Sequence, residues 1–281
     1  MNLADKDSLS MNLILGVVQG RLTRSPPGQL QWFPQDDWEE EFPVAKGLGL
    51  SYIEYIAERQ FNAENPIWTA GGINRIKVLN QENGMQAQAL CNDFIIDHFL
   101  GDVDVIRQNL ELLEITARLG CKKYILPLFE ASELTPSNLP RFKGALNEIV
   151  NQAYDLGILV CLETILKGDD LVEVLNTLNR SSVTVVFDTG NRVAFGHDLG
   201  SDIRKLAGHI NHVHIKDKNF NNENVLVGTG LVDFYEVFLA LRDISYSGSF
   251  TFETTRGFDP VRTMQHNIEF ISFINEEAFR S

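Results

Sequence analysis

The chain has only three cysteines, Cys91, Cys121 and Cys161, widely spaced and without a CxxC pair. That excludes a disulfide scaffold and points to a reducing, cytoplasmic setting. Basic residues are also scarce: 24 Lys and Arg against 38 Asp and Glu leave a net charge of -14 over 281 residues. Phosphate polymers repel such a chain unless it hides a basic groove, so no nucleic-acid partner is expected. No apolar run approaches the roughly 18 residues that cross a bilayer, so no membrane partner is expected either. The opening MNLADKDSLS lacks the basic-then-apolar order of a signal peptide. Residues 1–12 read as a flexible leader. From 13 to 281 no linker, low-complexity tract or composition shift appears, so that stretch reads as a single domain. A GxGxxG fingerprint is missing too. VVQGRL follows the first apolar run, which speaks against an open dinucleotide-binding sheet.

What is present is periodic punctuation. Gly47, Gly84, Gly120 and Gly157 recur at intervals of 37, 36 and 37 residues, each after a helix-like segment and before a β-rich run. Glycine just past a helix end lets the chain turn back with positive φ. The runs are LILGVVQG (13–20), SYIEY (51–55), MQAQAL (85–90), KKYILPL (122–128), ILVCLET (158–164), VTVVFDT (183–189), INHVHIK (210–216) and GSFTFET (248–254). Several are continuously apolar, as parallel strands buried on both faces must be. Between them, segments such as 102–120, 138–157 and 260–279 carry apolar residues at helical spacing. Eight strand–helix units, one per 35 residues or so, predict an α/β protein, a (β/α)8 TIM barrel.

Chemistry in such a barrel sits at the C-terminal ends of the strands. Strand five ends in Glu163, strand six in Asp188, strand seven in His214 and strand eight in Glu253. Three carboxylates and an imidazole at one mouth repel one another without a cation. A divalent metal resolves this, and the mixed oxygen and nitrogen set suits Mn²⁺, Mg²⁺, Co²⁺ or Zn²⁺.

The stretches CLETILKG, VVFDTGNRVAFGHD, HVHIKDKN, VGTGLVDF and FTFETTRG resemble the xylose-isomerase-like barrels, in particular their sugar-phosphate isomerase/epimerase group. The opening QGRL…GQLQWFP…WEEEF…AKGLGLSYIEY is similar to bacterial ketose and ketose-phosphate 3-epimerases. The likeness spans residues 13 to about 275. It implies an isomerase or epimerase acting on a ketose or ketose phosphate through a metal-stabilised enediolate. Glu163, Asp188, His214 and Glu253 would hold one divalent ion, usually manganese. Glu163 and Glu253 would form the acid/base pair, in an order that depends on the handedness of the substrate. Barrels of this group commonly pair through loops near the mouth, which implies a possible homo-oligomer. Trp32, Phe33 and Trp38 would then lie in such a contact or against the barrel's own helices.

Further substrate-binding candidates surround this set. Glu54 ends the second strand and belongs either to the site or to a rim ion pair. Arg21 either grips a substrate oxygen or is a surface arginine. His212 lies beneath the metal site or is a core histidine. Lys216 is an oxyanion stabiliser or a solvated loop charge. Arg192 and Arg256, one loop step beyond Asp188 and Glu253, are candidate anchors. Gly228 and Gly230 offer N–H groups to a phosphate or simply make a tight loop. Asn191 stands where several free-ketose 3-epimerases carry histidine, which leaves the substrate open. An inosose-dehydratase-like lyase would use the same metal site. An endonuclease IV-like nuclease needs histidines from early strands, and before residue 197 this chain has only His98.

Overall fold

The computed structural model describes residues 10–178 and 180–280. Eight parallel strands occupy β1 (Ile14–Val18), β2 (Tyr52–Ala57), β3 (Ala89–Asn92), β4 (Lys123–Pro127), β5 (Leu159–Glu163), β6 (Val183–Asp188), β7 (Ile210–Ile215) and β8 (Ser249–Phe252). They pair in sequence order, and β1 pairs back onto β8 (Leu15 opposite Phe250), closing one barrel. Around it lie α1 (Glu41–Gly47), α2 (Ala70–Asn83), α3 (Val103–Leu119), α4 (Leu139–Asp155), α5 (Gly168–Leu178), α6 (Thr189–Ala194), α7 (Leu199–Lys205), α8 (Phe234–Asp243) and α9 (Pro260–Arg280).

The alternation of side chains builds two cores. Outward residues such as Leu126, Leu162, Phe187, Val213 and Phe250 pack beneath the helices. Their neighbours in sequence, including Val18, Ile56, Ala89, Cys91, Ile125, Cys161 and Val186, form a separate cluster inside the ring. The helices present matching stripes. In α3 the buried positions Val105, Leu112, Ile115 and Leu119 fall at three-, four- and seven-residue steps. That helix ends at Gly120, which has φ 88°.

Three expectations need correction. Gly84, Gly120 and Gly157 do turn the chain with positive φ, but Gly47 closes α1 in helical geometry and Gly49 (φ 77°) makes that turn. The third strand begins at Ala89, not Met85. Met85 N–H still caps α2 by donating to the Asn80 carbonyl (2.8 Å). The second strand runs on to Ala57, so Glu54 lies inside it rather than at its end. Of the leader, residues 1–9 lie outside the described residues, and Met11 is tied to α9. It donates to Asn275 Oδ1 (3.3 Å) and accepts from Asn275 Nδ2 (2.9 Å). All three cysteines are buried and unpaired. No helix among the described residues is long and apolar enough to cross a membrane.

Candidate active site

Glu163 and Asp188 are the last residues of β5 and β6, His214 is next to last in β7, and Glu253 follows β8 directly. All four are buried. One ligand-type atom from each lies within 4.8 Å of the others. His214 Nδ1 stands 3.2 Å from Glu253 Oε2, 3.7 Å from Glu163 Oε2 and 3.9 Å from Asp188 Oδ2, yet makes no directed hydrogen bond. A buried imidazole nitrogen aimed at three carboxylates without a partner is the arrangement a bound cation completes. The residues therefore fit a divalent ion.

A polar column inside the barrel fixes that imidazole. Ser249 Oγ donates to His212 Nδ1 (2.7 Å), His212 Nε2 donates to Glu54 Oε2 (2.7 Å), and His214 Nε2 donates to Glu54 Oε1 (3.1 Å). Thr251 Oγ1 adds a bond to Glu54 Oε2 (3.0 Å). At the base, Lys123 Nζ donates to Ser249 Oγ and to the Asn211 carbonyl, both at 2.7 Å. Asn211 is displaced by the register shift between β6 and β7, which re-aims the strand next to the site. Burial pushes Glu54 up, but His214 and His212 outweigh it and bring the carboxyl down to about 2. Burial also lowers His212, to about 4, so this imidazole is neutral. Glu54 is thus neither a strand end nor a rim ion pair. It orients a candidate ligand from below, as carboxylates behind metal-binding histidines do.

Lys216 is not solvated. Its ammonium lies buried 2.7 Å from Glu253 and 3.0 Å from Asp188. Burial pushes Glu253 up, yet Lys216, His214 and Arg21 together hold it well below the usual carboxylate range. Glu163 moves the other way, raised by burial and by Asp188 and Glu253 beside it, against the pull of His214. Asn191 donates through Nδ2 to Glu163 Oε1 (3.2 Å), and its backbone N–H donates to Asp188 Oδ1 (2.6 Å), which caps α6. Arg21 is buried behind Glu253, 3.5 Å from Oε1, and donates to Gln31 and to the Thr254 carbonyl. Its loop is held by Glu41, which accepts from the N–H groups of Gly20 (2.8 Å) and Leu22 (3.0 Å). Gly20 has φ 83°, and a Cβ there would lie 1.9 Å from the Trp32 carbonyl oxygen, so only glycine fits.

These groups open onto a cavity of about 410 Å³. Its lining includes Glu54, Glu163, Asn191, His214, Lys216 and Glu253, together with Asp93 and the apolar Leu30, Ile96, Pro127 and Phe129. A concave, mixed surface of this size suits a small polar ligand.

A family model described as xylose isomerase-like TIM barrel matches residues 42–273. The chain belongs to that family. It is 29% identical over 170 residues to a ketose 3-epimerase of Arthrobacter globiformis, covering 54% of this chain and 57% of that protein. To the L-ribulose-5-phosphate 3-epimerase UlaE of Escherichia coli K12 it is 25% identical over 262 residues, covering 87% and 88%. The chain spans little more than half the length of the first curated relatives it matches. In fold it is similar to a D-psicose 3-epimerase from Clostridium cellulolyticum H10 crystallised with D-tagatose. That match has TM-score 0.75 and 17% identity, over 93% of this chain and 99% of that one.

Not every candidate reaches the cavity. Arg192 is fully buried, paired with Asp202 (3.1 Å), donating to the Leu166 carbonyl (2.9 Å) and stacked 4.8 Å over Phe187. Arg256 donates to the carbonyls of Gly20 (2.7 Å), Leu30 (2.8 Å) and Gln29 (3.3 Å), pinning the loop after β1. Both are struts, drawn inward because a guanidinium can satisfy several acceptors at once. Phe33 is buried, and Trp38 packs edge-on against Phe42 at 6.1 Å. His98 stacks on Phe94 at 3.7 Å and bonds to its carbonyl, outside the metal-capable cluster, which removes the early-strand histidine a nuclease centre requires.

Asp93 escaped the sequence analysis. It follows β3 as Glu253 follows β8, but a strand placed at 85–90 ends too early to reveal it. Burial, with Glu253 nearby, pushes its carboxyl up to about 7.

Proposed function

We propose that this protein is a divalent-metal-dependent sugar isomerase or epimerase that moves a proton at the carbon beside a ketose carbonyl. The observation that carries the reading is the pair Glu163 and Glu253. They come from strands three steps apart around the ring, yet their carboxylates converge with Asp188 and His214 on one buried point at the cavity floor. These four residues would hold the ion, manganese first, with magnesium, cobalt or zinc as alternatives. When bound, it supplies Lewis-acid polarisation of the carbonyl and compensates the negative charge that develops beside it.

The chain's own groups do the rest. One glutamate takes the carbon-bound proton from one face of the substrate, and the other returns a proton to the opposite face or to the adjacent carbon. Inversion needs two carboxylates facing each other across the substrate, and one strand could not supply both. Asn191 holds Glu163, while Lys216, Gln31 and Arg21 hold Glu253, so neither carboxylate is free to swing from its position. Leu30, Ile96 and Phe129 wall the cavity and limit water around the deprotonated substrate. Three buried thiols fit a reducing cytoplasm.

The test is incubation in D₂O of protein of known metal content with a panel of ketoses and ketose phosphates. Metal-dependent deuterium uptake at C3 or C1 is the expected result. Elimination of water with an enone-type chromophore would instead assign a dehydratase.

A further inference from the structure

TIM barrels that bind phosphorylated ligands commonly grip the phosphate with backbone N–H groups of the loops after strands seven and eight. Here the loop after β7 is closed by an anion of its own. The Asp217 carboxylate accepts from Gly228 (3.0 Å) and Gly230 (2.8 Å) through Oδ2, and from Val232 (3.1 Å) and Lys218 (2.9 Å) through Oδ1. A Cβ placed on Gly230 would lie 2.3 Å from Asp217 Oδ1, so the carboxylate already fills the turn. The Gly228 and Gly230 N–H groups are occupied from within.

The cations are committed as well. Among the described residues, the lysine and arginine side chains that line the cavity are Lys216 and Arg59. Lys216 is ion-paired with Asp188 and Glu253, and Arg59 with Asp97 (3.2 Å) and Glu130 (2.5 Å). Arg21, Arg192 and Arg256 are buried against carbonyls and carboxylates, as described above. Facing the cavity are four carboxyl groups, Glu54, Asp93, Glu163 and Glu253. Asp93 is 3% exposed and stands outside the metal-capable cluster. Its Oδ1 accepts from Cys91 Sγ (3.4 Å), and its Oδ2 has no hydrogen-bond partner.

A phosphate dianion entering this cavity would meet carboxylates and would have to strip a cation from its existing partners. A neutral polyol needs no such exchange. Its hydroxyls can donate to the buried, unpartnered Asp93 oxygen while its C–H faces lie on Ile96 and Phe129. We infer that the substrate is an unphosphorylated sugar and that Asp93 holds one of its hydroxyl groups. This inference rests on the isomerase/epimerase reading and narrows it.

The experiment compares matched pairs. Manganese-loaded protein is assayed by deuterium exchange on D-fructose, D-tagatose, D-ribulose and L-ribulose and on their terminal phosphates. Binding of the same compounds and of inorganic phosphate to metal-free protein is followed by thermal shift. The expected kcat/KM is at least about 100-fold higher for a free ketose than for its own phosphate. Inorganic phosphate is expected to leave the melting temperature unchanged. Asp93→Asn should lower kcat/KM for the free ketose by about 10- to 100-fold, mainly through KM, at unchanged metal content. A phosphate ester turned over as well as the free sugar, or an Asp93→Asn protein with wild-type KM, overturns the inference and leaves the proton-transfer chemistry standing. Absence of exchange with both members of every pair, in protein shown to hold its metal, sinks the underlying reading and the inference with it.

Discussion

Lys216 is the only ammonium at the carboxylate cluster among the described residues, and replacing it by methionine isolates its electrostatic role. The stem of Lys216 packs against Gly190, where a Cβ would meet its Cγ at 2.7 Å, and methionine retains most of that contact. The charge is what disappears. At 2.7 and 3.0 Å from two carboxylates, each pairing represents about 5–6 kcal/mol of gross attraction at an effective dielectric of about 20. Desolvation of three buried charges cancels most of this. Removing one partner of a buried pair typically costs about 3–5 kcal/mol, because the remaining charges stay buried without compensation. For a chain of this length that is a fall of roughly 6–10 °C in melting temperature, read by calorimetry on EDTA-treated protein at neutral pH. The pH dependence has a definite sign. The Lys216 pKa is raised, so its contribution is complete below the unfolded value of about 10.4 and fades only as pH rises beyond it. The Glu253 pKa is lowered, so its share is present above the unfolded value of about 4.3 and is lost as pH falls. The gap between wild type and Lys216→Met should therefore shrink in acid, as pH falls below the unfolded carboxylate value of about 4.3. A metal-free Lys216→Met protein that melts with the wild type at pH 7 would refute the reasoning.

Other substitutions probe the remaining parts. Glu253→Gln and Glu163→Gln should each reduce deuterium exchange by about 10²–10⁴-fold, and wild-type rates in either would sink the two-glutamate scheme. Glu54→Gln removes the charge behind His214 and should weaken manganese binding by about 10- to 100-fold in a competitive chelator titration. In Glu41→Gln one amide oxygen replaces two carboxylate oxygens that accept from Gly20 and Leu22. One buried N–H then loses its acceptor, at about 1–3 kcal/mol in urea denaturation, and the loop carrying Arg21 loosens. Arg192→Met should lower the melting temperature while leaving KM for the sugar unchanged, since this guanidinium braces Asp202 and Leu166 away from the cavity.

The barrel was legible in the sequence because its signals are local. A glycine at a helix end, an apolar run buried on both faces and a helical stripe each follow from a few adjacent residues. The four residues at the cavity floor were legible for a related reason. A charge at the end of an apolar run is costly, and the barrel topology sends all strand ends to one mouth. Where local signals were ambiguous, the reading slipped. The alternation MQAQAL imitates a strand, and with β3 set too early Asp93 was hidden. Lys216 stayed between oxyanion stabiliser and loop charge, and Glu54 between site and rim, because sequence gives no view of what stands across the barrel. The arginines show the same limit: Arg21, Arg192 and Arg256 were equivalent candidates by position, yet one sits behind Glu253 and two brace loops. The sequence by itself determined the repeat, the closure into a barrel and which residue types end its strands. Only the tertiary structure decided which charges neutralise one another, because pairing depends on distances between residues that lie more than two hundred positions apart in the chain, as Arg21 and Glu253 do.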